Sequence, residues 1–106
     1  MEDGFEERKK KHEEKWAHDE ALRFKAGARR NKLFGQWAAG ALGLSGAAAE
    51  EYVKAVVTAE LHNPAAGVLG KVREDFRAAG LAHSEDALQR KLAELAELAR
   101  AQVQNG

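Results

Sequence analysis

A single proline, Pro64, stands in 106 residues, and on both sides of it apolar residues recur at three- and four-residue spacing. No stretch of strand length alternates apolar with polar residues. That periodicity is helical. With one proline, helices can end only at glycines and capping residues elsewhere in the chain. The composition agrees: 22 Ala and 11 Leu stand against 6 Val and no Ile, and Ala and Leu lose little conformational entropy on entering a helix. The sequence predicts an all-α fold in one domain, since 106 residues bury one modest core.

Four helical segments can be placed. The first runs from Trp16 to Leu42, with Gly27 to Asn31 as the place where a kink would fall. Ala17, Ala21, Phe24, Ala28, Gly35, Ala38 and Leu42 form one apolar stripe on it, and Leu22, Ala26, Leu33 and Trp37 a second on the other side. A helix apolar on two sides is covered from two sides. Gly43 suits a left-handed C-terminal stop, and Ser45 an N-cap, with Glu50 and Glu51 following. The second helix carries Ala49, Tyr52, Val53, Val56, Val57 and Leu61, and Asn63-Pro64 ends it. In the third, Leu69, Val72, Phe76 and Ala79 point inward and Gly80 is the stop. Ser84 caps the fourth, Glu85 and Asp86 sit at the positive end of its dipole, and its stripe is Leu88, Leu92, Leu95, Ala99 and Val103, with 104–106 fraying. Four amphipathic helices with short loops close into a small four-helix bundle over residues 17–106.

Residues 1–16 differ from the rest. Residues 2–15 are almost wholly charged, with opposite charges at helical spacing such as Glu6–Lys10 and Glu7–Lys11. Each such pair adds only about 0.2–0.5 kcal/mol to an isolated helix, too little to overcome nucleation in a short segment. The arm is expected to be mobile and nascent-helical when free. On a helical wheel Phe5, His12 and Trp16 fall within about 40° of one another, a narrow stripe suited to a groove on a partner.

Catalytic chemistry finds no support in the residues. There is no Cys, hence no thiol nucleophile, disulfide or thiolate metal site. Ser45 and Ser84 read as caps, and Gly67–Gly70 lacks the Lys-Ser/Thr end of a phosphate loop. His12, His18, His62 and His83 include no His-Glu-x-x-His pair; His18, near Glu14 and Asp19, is read as a solvated or partly packed histidine. Neither a metal nor a cofactor is expected. Seventeen basic and 17 acidic residues cancel, which argues against a nucleic-acid binder. No apolar run reaches membrane-spanning length, and the charged N-terminus lacks a signal-peptide core, so a cytoplasmic location is expected.

One local imbalance remains. Arg23, Lys25, Arg29, Arg30 and Lys32 give segment 16–37 a net charge of +3. Arg29, Arg30 and Lys32 form either a contact for phosphate, nucleotide or an acidic partner, or a solvated helix face. Trp37 belongs to a continuous stripe and is assigned to the core; Trp16 sits where the arm leaves the bundle. From these residues alone the chain is a protein-binding or regulatory module.

The run Lys15-Trp16-Ala17-His18-Asp19-Glu20-Ala21-Leu22-Arg23-Phe24-Lys25-Ala26-Gly27-Ala28-Arg29-Arg30-Asn31-Lys32-Leu33-Phe34-Gly35-Gln36-Trp37-Ala38-Ala39 closely resembles the hallmark of the zeta-subunit family, inhibitors of the F-type ATP synthase of alphaproteobacteria. Leu42-Gly43-Leu44, Tyr52, Val56-Val57, Lys71-Val72-Arg73-Glu74-Asp75-Phe76 and Arg90-Lys91 are similar too, so the resemblance covers essentially the whole chain. It implies a four-helix bundle whose N-terminal segment becomes helical as it enters the catalytic interface of the alpha, beta and gamma subunits and blocks ATP hydrolysis. It also implies a free monomer, peripheral to the inner membrane through the synthase. Phe5, Glu6, Glu7, Arg8, Glu13, Lys15 and Trp16 match the inhibitory segment. Three places depart from the family: His12 stands where an apolar residue is usual, Lys9-Lys10-Lys11 is more basic, and Asn63–Gly67 replaces an often acidic stretch. Two other functions stay open: a purine-nucleotide sensor binding ATP or ADP weakly through Arg29, Arg30 and Lys32, and an assembly factor that binds the synthase with little or no inhibition.

Overall fold

The computed structural model describes residues 20–105, which form four α-helices and no strand. We number them α1 (Glu20–Ala41), α2 (Gly46–His62), α3 (Gly67–Ala78) and α4 (Glu85–Asn105). The long α1 packs along both α4 and α2, as its two stripes require, and α3 closes the remaining side against α2. The expected four-helix bundle is thus present. α1 continues as one helix through Gly27 and Asn31, and α4 is helical through Asn105, where fraying was expected from residue 104.

The ends of the helices follow local chemistry. Gly43 takes φ of +79°. Its N–H donates to the Gly40 carbonyl (3.0 Å) and that of Leu44 to the Ala39 carbonyl (2.9 Å), the paired bonds that close a helix around a left-handed residue. Gly80 repeats this pattern, its N–H bonding Arg77 and that of Leu81 bonding Phe76. Ser84 caps α4 as expected, its Oγ accepting from the Ala87 N–H at 3.0 Å. Ser45 does not cap in the same way: it holds the N-cap position in extended conformation, yet its hydroxyl makes no capping bond. Gly46 follows it at φ +58°, so the chain enters α2 by a left-handed turn that carries the first amides away from the hydroxyl. α3 receives its cap from a distance, because Glu60 in the last turn of α2 accepts the Val68 N–H at 3.1 Å. A carboxylate at a helix N-terminus is favoured by the free amides and the dipole together.

All four helices contribute to the core. Phe34 and Ala38, Val56, Val68, Val72, Phe76 and Leu88 are buried in one cluster, with Trp37, Leu42, Tyr52, Leu69, Leu81, Leu92 and Leu95 packed around it. Trp37 stacks on Phe34 (ring centroids 5.6 Å apart) and leans on Phe76 (5.5 Å), while the His83 ring closes the group 4.9 Å from Phe76. Lys91 of α4 lies over the outer face of Trp37. α1 and α2 approach closely at Gly35, where a Cβ would stand only 3.2 Å from the Val53 Cα.

Burial departs from the expected stripes in several places. Phe34, on neither stripe, is fully buried, and Val68 joins it in the core. Phe24 is 79% exposed and Leu61 76% exposed. Ala21 and Ala28 are also exposed, and Ala79 is exposed at the C-cap of α3. The physical reason is common to the α1 cases. Its first buried residue is Asn31, because the four-helix core is built around the C-terminal half of α1 and leaves the N-terminal half with fewer neighbours.

Candidate partner-binding surface

The residues expected to form an inhibitory segment, Phe5, Glu6, Glu7, Arg8, His12, Glu13, Lys15 and Trp16, lie outside the described residues, as does His18. What is described is the helix into which that segment leads. Between Glu20 and Arg29 α1 has no buried residue and presents Arg23, Phe24, Lys25, Ala28 and Arg29 to solvent. Phe24 is thus a large apolar side chain left in solvent among cations, which makes this face a candidate surface for a partner.

The three cations singled out from the sequence are divided by the helix. Arg29 and Lys32 sit three residues apart on one side and line a shallow groove with Phe24, Lys25 and, from α4, Gln102 and Val103. The α4 residues reach it because α4 runs antiparallel along α1, with Lys91 at Trp37 and Val103 at Phe24. Sequence reasoning missed these two, since only the packing brings the C-terminal end of α4 beside the N-terminal half of α1. Arg30 points elsewhere. Its Nε and Nη2 donate to the Asn31 Oδ1 at 2.9 and 2.7 Å. Asn31 is a buried polar residue within α1, and this charge-assisted pair satisfies its carbonyl oxygen.

A second groove lies between α1 and α2, with Ala39, Gly40, Leu44 and Val53 along its floor and Lys32 and Lys54 at its rim. Neither groove brings together an acid, a base and a nucleophile. Among the described residues no group of three or more histidines or carboxylates is placed to hold a metal ion, and no helix is long and apolar enough to cross a membrane.

Residues shared with the family resemblance hold the helices together. Tyr52 of α2 donates its hydroxyl to Asp75 of α3 at 2.8 Å, and Lys71 pairs with the same carboxylate oxygen at 3.0 Å. Burial, and next the hydrogen bond to Asp75, hold the Tyr52 phenol well above its ordinary range. Arg73 of α3 grips Glu85 at the start of α4 through two nitrogens, at 2.6 and 3.3 Å. That contact holds the Glu85 carboxyl below the usual carboxylate range and raises the guanidinium.

An all-helical protein with an exposed, cation-edged apolar surface and no assembled catalytic group among the described residues fits a partner-binding module. Comparison with known families makes this specific: a model described as ATPase inhibitor subunit zeta matches residues 1–102. The chain belongs to that family and is regulatory, not catalytic. No curated protein matches it.

Proposed function

We propose that this chain inhibits ATP hydrolysis by an F-type ATP synthase by inserting residues 1–16 as a helix at the interface of the alpha, beta and gamma subunits, with the bundle acting as carrier. One observation carries this reading: the match to the inhibitor family runs from residue 1 to residue 102 and so takes in the charged arm together with the bundle. Phe5, His12 and Trp16 form the face that docks, and Glu6, Glu7, Arg8, Glu13 and Lys15 pair with polar subunit surfaces. A stripe that narrow supplies a few anchors and leaves the rest of the contact polar.

The test is ATP hydrolysis by the isolated catalytic sector with the full chain and with a chain beginning at Ala17. Inhibition by the first alone, with both chains equally helical by circular dichroism, is the expected result. Equal inhibition by the shortened chain overturns the proposal. Binding by the full chain with unchanged hydrolysis selects the assembly-factor reading instead.

A further inference from the structure

We propose that the groove between α1 and α4 is a docking site for the chain's own N-terminal tip, residues 1–7, so that the free protein holds its inhibitory tip against the bundle. The groove carries an apolar centre, Phe24 and Val103, edged by Lys25, Arg29 and Lys32. Phe24 is 79% exposed. None of these three cations has a hydrogen-bonding or ion-pair partner among the described residues, whereas Lys71, Arg73, Arg90, Lys91 and Arg100 each pair with a carboxylate.

The chain supplies the complementary charge itself. α1 holds five basic residues and one acidic, Glu20, a net +4. Residues 1–7 hold Glu2, Asp3, Glu6 and Glu7 with no basic side chain, a side-chain charge of −4, around a single aromatic, Phe5. The whole chain is neutral, so this separation of charge is a matter of placement. Geometry permits the contact. Arg29 lies nine residues into α1, roughly 14 Å from its start at 1.5 Å per residue. Residues 8–19 provide twelve residues of return path, spanning up to roughly 40 Å when extended. A tethered tip meets the groove at an effective concentration in the millimolar range, so an acidic–aromatic contact with a Kd below that range is populated without a tight interface. This inference rests on the reading above only for its consequence: a docked tip shields Phe5, and the target competes with the groove for it.

The absence of cysteine makes the test direct. Gly4→Cys in the full chain carries a nitroxide label, which keeps all four acidic residues of the tip. Amide signals of 25–32 and 102–103 are expected to lose intensity selectively, and to recover at about 1 M salt, where the Debye length is about 3 Å. They are also expected to recover in the Arg29→Glu, Lys32→Glu double variant; both residues are exposed, so the fold persists, checked by circular dichroism. Uniform broadening, no broadening, or broadening that survives the charge reversal overturns the proposal. So does broadening transferred to an unlabelled isotopically enriched copy in a mixed sample, which would place the tip on a second molecule. None of these outcomes depends on inhibition, so loss of inhibition on deleting the arm can stand whether or not the tip docks.

Discussion

The Tyr52 hydroxyl donates to the Asp75 carboxylate at 2.8 Å across 23 residues of sequence, tying α2 to α3. Lys71 pairs with that same oxygen and lies over the Tyr52 ring. Hydrogen bonds to a charged group contribute about 1.5–3 kcal/mol, and partial exposure places this one at the lower end. Tyr52→Phe is expected to cost about 1–2 kcal/mol in denaturant unfolding, and no change would show the bond to be energetically idle.

The same phenol sets a pH dependence. Its folded pKa is raised, so its contribution is fully present below the unfolded value of about 10 and is lost as pH rises above it. Tyr52 is the only tyrosine, so phenolate absorbance reports it alone. Its ionisation in the native state is expected at clearly higher pH than in denaturant. The stability difference between the parent chain and Tyr52→Phe is expected to be constant up to pH 9 and to shrink above pH 10. A native titration near 10 would contradict the buried bond.

Two phenylalanines ten residues apart in α1 should behave in opposite ways. Phe34 is fully buried and stacked on Trp37, while Phe24 is largely in solvent. Phe34→Ala is expected to cost about 3–5 kcal/mol through lost contacts and a cavity, and Phe24→Ala no more than about 1 kcal/mol, since the bundle itself leaves it exposed and only a docked tip would cover it. Thermal melts of both variants check this directly. A loss at Phe24 as large as that at Phe34 would mean that Phe24 belongs to the core, against its exposure in the bundle.

Glycines in α1 separate propensity from packing. A Cβ at Gly27 meets nothing within 4 Å, so Gly27→Ala is expected to stabilise by about 0.5–1 kcal/mol. At Gly35 a Cβ would press on the backbone of Val53 and on Val56. There Gly35→Leu is expected to cost about 1–3 kcal/mol through overpacking, measured by the same unfolding midpoints.

The Arg73–Glu85 contact lies at the exposed surface and should count for little. Glu85→Gln is expected to lower the Tm slightly at low salt and not at all at high salt. Because the folded carboxyl is depressed, its contribution is present above the unfolded pKa and vanishes as pH falls through the folded one. A carbon-detected NMR titration of Glu85 checks the direction.

Much of this fold is written locally. The helix ends at Gly43, Asn63, Gly80 and Ser84 depend on residues within a turn of each other, and the four segments were legible from them. The stripe Leu88, Leu92, Leu95, Ala99 and Val103 was legible because α4 meets the core along most of its length. The candidate surface was only half legible. Arg29 and Lys32 were visible as cations, but that Arg30 turns to Asn31, and that Gln102 and Val103 complete the groove, follows from packing.

Sequence by itself determined the all-helical class, the number of helices, most of their boundaries and the family, because these rest on periodicity, capping and matched residue runs. The tertiary structure alone decided which apolar residues are covered. Phe24 and Phe34 have the same side chain in the same helix, and their fates differ because the four-helix core forms around one half of α1 and not the other. Likewise Glu60 caps a helix that begins seven residues later only because the turn after α2 brings it back to the Val68 amide. Burial and distant capping depend on where other segments stand in space, and no local pattern carries that information.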